Sequence, residues 1–179
     1  MSLYDDAFFD LETMVARQAA EIVLPDLFQT YPQIHSVIDV GCGTGAWAYT
    51  AQSLGRPAIG VDHHVPRKLL LLKTFVDCDL TNGYPCSGFD LAICLEVAEH
   101  LPDTAAVPLV NGLARANMVL FSAATPGQPG VGHIYCQPHD YWHDLFAIHG
   151  YSPTHIGPNY PEIADFYQRN MYLYTKGQE

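Results

Sequence analysis

Basic residues are scarce in this chain. Eight Lys and Arg stand against 19 Asp and Glu in 179 residues, a net charge of −11. Neutralising a phosphate backbone needs clustered Lys and Arg, so DNA or RNA is not an expected partner. The same deficit argues against docking on an anionic membrane surface. Long apolar runs are missing too: none approaches the roughly 18 residues of a membrane span. The N-terminus, MSLYDDAFFDLE, lacks the basic-then-apolar layout of a secretion signal. The five cysteines (Cys42, Cys78, Cys86, Cys94, Cys136) are odd in number and never form C-x-x-C. That speaks against a disulfide framework and for reduced thiols in a cytoplasmic protein. No G-K-[ST] of a phosphate-binding P-loop is present, and the glycine-rich segment is not the G-x-G-x-x-G of dinucleotide enzymes.

What is present is an ordinary globular composition, 49% apolar with 15% charged residues. The length fits one domain over residues 1–179. Apolar positions at helical spacing predict a helix over 11–30, kinked or ended by Pro25. Short apolar runs predict strands at 36–40, 58–62, 74–78, 89–95, 118–123 and 171–175. Helices are expected at 46–54, 104–116 and 139–149, and a Gly-Pro loop at 125–133. Alternating strands and helices, with strands apolar on both faces, give an α/β, doubly wound sheet. Ligands of such sheets bind beyond the C-terminal strand ends.

Three features fall at those ends. Asp39-Val-Gly-Cys-Gly-Thr-Gly45 joins a strand to a helix. Its alternate glycines allow a sharp turn and a close approach to a ligand. Asp62 closes the second strand, where a carboxylate can accept from both hydroxyls of a ribose. Asp79 follows the third strand and can accept from an amino group of a base.

On VIDVGCGTG, GVD, VDCDL and FDLAICLEVAEHLP, the sequence resembles class I S-adenosylmethionine-dependent methyltransferases. The later segment PGQPGVGH with YW and LF is similar to a subgroup of small bacterial and phage methyltransferase domains. The resemblance implies a Rossmann-like, seven-stranded, mostly parallel sheet with an antiparallel last strand. It implies S-adenosylmethionine as cofactor, with its methionine end over Gly41, Cys42, Gly43 and Gly45. Asp39 is then expected near the cofactor amino group, Asp62 at the ribose with His63 in the adjacent turn, and Asp79 with the backbone of Leu80 at the adenine. Glu96 faces the methionine or substrate side. The tripeptide Ala98-Glu99-His100 follows strand four, as in small-molecule methyltransferases.

Methyl transfer from a sulfonium needs alignment and exclusion of water, and a base only when the nucleophile arrives protonated. The candidate catalytic groups are His133, His100 and Glu99, each with a purely structural alternative. Tyr135 and Trp142 are expected near the same pocket. Cys136-x2-His139-x3-His143 has zinc-like spacing, but His139 follows Pro138 at a helix start, and no metal is expected. Tyr4, Phe8 and Phe9 make residues 1–30 a candidate helical lid over the cofactor.

The expected activity is methylation of a small-molecule or sugar-like acceptor, with O-, N- and C-methylation all open. The alternative is a domain that binds the cofactor without transferring a methyl group, as a degenerate enzyme or interaction module. Strand four runs into Leu95-Glu96-Val97-Ala98 rather than the N-P-P-[YFW] of base-amino methyltransferases.

Overall fold

A computed structural model describes residues 6–63 and 65–177, with side chains from Asp10 onward. Seven strands form one sheet: β1 (Val37–Val40), β2 (Ala58–Asp62), β3 (Phe75–Asp77), β4 (Leu91–Leu95), β5 (Met118–Ser122), β6 (Tyr151–His155) and β7 (Tyr172–Lys176). Their order is β3-β2-β1-β4-β5-β7-β6. β1 to β5 pair in parallel, and β7 runs antiparallel between β5 and β6. This is the doubly wound sheet with an antiparallel last strand expected from the sequence. Its strand order reverses between β1 and β4, which opens a crevice beyond their C-terminal ends.

Residues of the central strands alternate between two apolar layers, as the period of two in a strand requires. Leu91, Ile93 and Leu95 join the layer packed under α1 (Asp6–Thr30) and α2 (Ala46–Ser53). Ala92 and Cys94 join the opposite layer, under α3 (Ala106–Leu113) and α4 (His139–Ala147). The short helix α5 (Asp165–Asn170) lies with α1 and α2 through Tyr167. Trp142, Phe146 and Tyr151 are core residues of the second layer. All five cysteines are free thiols. Among the described residues, no helix is long and apolar enough to cross a membrane.

Two expectations are corrected. α1 does not end at Pro25 but runs through it. Ala19, Ala20, Val23, Leu24, Leu27 and Phe28 are buried on both sides of the proline, and that packing outweighs one lost backbone bond. Strand β6 is absent from the sequence reading. It is an edge strand whose last four residues are exposed and which contains Pro153. Edge strands tolerate proline and carry little apolar signal.

Candidate active site

A cavity of about 910 Å³ lies at the crevice. Gly41, Asp62, His63, Asp79 and Leu80 line one side; Glu96, Val97, His100 and Leu101 line the other. Gln128 to Val131 and His133 close it from the loop after β5. Glu12 and Ala16 of α1 and Phe166 and Tyr167 of α5 also border it.

The backbone explains why the loop after β1 is glycine-rich. Gly41 has φ +76, and a Cβ there would overlap the side chain of Val97. The loops after β1 and β4 can therefore meet only through a glycine. Gly43 donates its N–H to Asp62 Oδ2 and His63 donates its N–H to Asp62 Oδ1, each at 2.6 Å. A carboxylate has about four lone-pair sites, so these two bonds orient Asp62 and leave acceptor capacity facing the cavity. His63 Nδ1 lies 2.7 Å from Asp77 Oδ1. Asp79 caps a 3-10 turn, accepting the Thr81 N–H at 2.9 Å.

Asp39 and Cys42 lie beneath the glycine loop. Neither lines the cavity. Asp39 lies beneath the loop, 3% exposed, where Oδ2 accepts the Ala48 N–H of α2 at 3.2 Å. It positions the start of α2 against β1. The Cys42 sulfur would collide with a Cβ at Gly60, so it is wedged between strand and loop. Burial also pushes its thiol up, the behaviour of a packing residue rather than a nucleophile. Gly43 and Gly45 turn the loop, with φ +53 and +89, and do not border the cavity themselves.

Burial pushes the Asp39 carboxyl up to about 7 from 3.8. Between those values the folded chain holds a proton that the unfolded chain has lost. The resulting stabilisation is present at low pH and disappears as pH rises through about 7. A displacement of this size is worth on the order of 4 kcal/mol. Asp39→Asn is therefore expected to raise Tm more at pH 8 than at pH 5, by thermal denaturation at both. Equal shifts at the two pH values would contradict a buried, titrating Asp39.

The acceptor-side residues form a connected cluster. Glu96 takes φ +53 just past β4, the one described non-glycine residue with positive φ. Such strain persists where surroundings enforce it, often at functional sites. Here Gln128 Nε2 and Asn170 Nδ2 both donate to Glu96, each at 3.3 Å. Burial raises Glu96 above its ordinary value. Glu99 is fully buried and stands behind the cavity wall. Its Oε1 accepts the Ala124 N–H at 3.1 Å, and its backbone carbonyl accepts the N–H groups of Ile134 and Tyr135. Burial, then the neighbouring Glu96 charge, push Glu99 well above the usual carboxylate range.

His100 and His133 face the cavity with ring centroids 5.0 Å apart. His133 Nδ1 lies 3.2 Å from the Gln128 carbonyl and its Nε2 lies 4.0 Å from Glu99 Oε1. A carbonyl only accepts, so Nδ1 is the donor of this contact and Nε2 is left for another partner. His100 sits beside the Gly132 carbonyl, and burial holds its imidazole below the ordinary value. Tyr135 and Trp142 do not line the cavity. The Tyr135 hydroxyl bonds to that of Tyr141 at 3.3 Å, and Trp142 is 1% exposed in the core.

The zinc-like spacing does not converge. His139 Nε2 lies 3.3 Å from Asn170 Oδ1, and His143 Nδ1 lies 2.8 Å from the Tyr174 hydroxyl. Sequence reasoning missed Glu12, Ala16, Gln128, Phe166, Tyr167 and Asn170. Gln128 lay in the quoted loop PGQPGVGH; the others sit on helices with no local sign of the cavity. Of the lid segment, residues 1–5, Tyr4 included, lie outside the described residues, as do the side chains of Phe8 and Phe9. The described part is a helix that borders the cavity through Glu12 and Ala16.

No protein-family model matches the chain, and no curated protein matches it. Solved structures do. An O-methyltransferase candidate from Nostoc punctiforme is similar at TM-score 0.71 and 12% identity, over 94% of this chain and 59% of its own. CalS10 from Micromonospora echinaspora, an amino pentose methyltransferase of calicheamicin biosynthesis solved with S-adenosylmethionine bound, is similar at TM-score 0.70 and 14% identity, over 99% of both chains. KedS8 from Streptoalloteichus, a sugar N-methyltransferase, follows at TM-score 0.65 and 15% identity, over 99% of this chain and 97% of its own. This chain spans 59% of the length of the Nostoc protein and 56% of that of the pyocyanin biosynthetic protein PhzM. The fold is that of the class I S-adenosylmethionine-dependent methyltransferases.

Proposed function

We propose that this chain is an S-adenosylmethionine-dependent methyltransferase acting on a small-molecule or sugar-like acceptor. The observation that carries the reading is one cavity at the switch point that joins two sets of residues. Asp62, Asp79 and the Gly41 turn form one half, and Glu96, His100 and His133 the other. The similarity to methyltransferases of amino sugars supports the acceptor class.

The lining fits the cofactor. Among the described residues, four acids, Glu12, Asp62, Asp79 and Glu96, border the cavity, and no Lys or Arg does. Such a field favours a ligand with cationic sulfonium and ammonium groups and disfavours a polyphosphate. In this reading Asp62 accepts from the ribose hydroxyls, and Asp79 with the Leu80 backbone holds the adenine. Gly41 lets the backbone approach the methionine end. Asp39, Cys42, Gly43 and Gly45 shape the loop from beneath. His63 fixes the turn beside Asp62.

When bound, the cofactor supplies an electrophilic methyl group on its sulfonium. The remaining work falls to the chain. Val97, Leu101, Pro129 and Val131 offer apolar walls that exclude water. His133 Nε2 presents a lone pair on the acceptor side, and Glu99 orients that side from behind. An acceptor that arrives protonated can give its proton to such a nitrogen. Helix α1 closes the cofactor side through Glu12 and Ala16, which makes it the lid of this reading.

The direct test is turnover of S-adenosylmethionine against a metabolite library, with product mass measured. The reading predicts a product heavier by one methyl group for at least one small-molecule acceptor, with S-adenosylhomocysteine formed in equal amount. Methyl transfer confined to nucleic acid would refute the acceptor class.

A further inference from the structure

Among the described residues, one group of three potential metal ligands converges: Glu99, His100 and His133, with ligand atoms all within 4.8 Å of one another. It differs from the set suggested by sequence spacing. Two of its polar atoms, Glu99 Oε2 and His100 Nδ1, are buried without a hydrogen-bond partner. Orphaned buried groups of this kind are rare and point to an absent partner. His133 is tethered through Nδ1 to the Gln128 carbonyl of the loop after β5, and His100 sits beside the Gly132 carbonyl of the same loop. A metal-binding histidine is held in this way, its second nitrogen fixed as a bare lone pair. A Cβ at Gly130 would overlap the His133 ring, so only a glycine lets the loop pack this closely against that imidazole.

We propose that Glu99, His100 and His133 bind one divalent transition-metal ion at the acceptor side of the cavity. Two imidazoles and one carboxylate suit Mn²⁺, Fe²⁺, Co²⁺ or Zn²⁺ better than Mg²⁺, which prefers an all-oxygen shell. Three protein ligands leave coordination positions open. Because His100 and His133 face the cavity and Glu99 stands behind them, the open positions point into it. An acceptor bearing a hydroxyl or carboxylate oxygen is the class that coordinates there. Glu96 also lines this region and brings a fourth oxygen donor close to Glu99. This acceptor class rests on the methyltransferase reading; the metal site rests on the geometry alone.

The test uses the full chain stripped with chelator and titrated calorimetrically with Mn²⁺ and Co²⁺, in the absence of any cofactor. The expected result is one ion per chain, with a visible Co²⁺ absorption band characteristic of nitrogen and oxygen ligands. His133→Ala and Glu99→Gln should each weaken Mn²⁺ binding by about a hundredfold or more, since even outer-shell changes cost roughly 10–100-fold. Glu99→Gln retains an acceptor for the Ala124 N–H, and circular dichroism of both variants checks the fold. His143→Ala should leave binding unchanged. No saturable binding by folded wild type, or binding lost in His143→Ala but kept in His133→Ala, would overturn the proposal. Metal binding by a chain that fails to bind S-adenosylhomocysteine would support the site and refute the methyltransferase reading instead.

Discussion

Asp62→Ala is expected to weaken S-adenosylhomocysteine binding by roughly 10- to 150-fold. That corresponds to about 1.5–3 kcal/mol, the range for hydrogen bonds to a charged acceptor. Asp62 sits at the end of β2 on the cavity wall, its carboxylate oriented by the Gly43 and His63 N–H groups. The substitution removes the ribose acceptor and also frees two backbone donors of the glycine turn. Asp62→Asn separates these effects. It keeps one acceptor oxygen and the side-chain shape, so its loss should be smaller. Calorimetry on the three proteins measures both. Equal affinity for wild type and Asp62→Ala would remove Asp62 from the ribose site.

His133→Ala is expected to lower turnover by roughly a hundredfold or more, with cofactor affinity changed no more than a few-fold. The substitution removes the Nε2 lone pair on the acceptor side, whether that nitrogen takes a proton or holds a cation. Gly130→Ala should act in the same direction while keeping the imidazole. A Cβ at position 130 overlaps His133 Nε2, and a misplacement of about 1 Å can cost on the order of a hundredfold. Single-turnover methyl transfer at saturating cofactor is the measurement for both. Lost cofactor affinity with unaffected transfer would move His133 to the cofactor half and the acceptor pocket elsewhere.

The sheet was legible in the sequence wherever a strand is buried on both faces. β1, β4 and β5 are apolar runs with every residue buried, and their positions followed from composition alone. β6 was not legible, because an exposed edge strand owes its pairing to β7 rather than to its own side chains. α5 was missed for a related reason. Its six residues hold together by docking Tyr167 beside Trp47, with ring centroids 5.9 Å apart, a contact far apart in sequence.

The cavity was partly legible. Asp62 ends β2, Asp79 and Glu96 follow β3 and β4 closely, and His100 and His133 lie in the segments after β4 and β5, so topology places them at one rim. Asp39 and Cys42 belong to the same motif yet face inward. A strand end alternates sides with each residue, and motif spacing alone does not say which residues turn toward a ligand. His100, His133 and Tyr135 were expected to converge across 32 or more intervening residues; His100 and His133 do come together, with ring centroids 5.0 Å apart, while Tyr135 does not line the cavity. The loop after β5 is held against the turn after β4 by Glu99, whose carbonyl accepts the Ile134 and Tyr135 N–H groups.

The central claim is that the acidic cavity at the β1/β4 crevice holds S-adenosylmethionine. Titration of the wild-type chain with S-adenosylmethionine, followed by calorimetry, tests it most directly. The account predicts saturable binding of one molecule per chain, competed by S-adenosylhomocysteine and weakened in Asp62→Ala. No binding up to about 1 mM, a free energy weaker than about 4 kcal/mol, by a folded chain would contradict it.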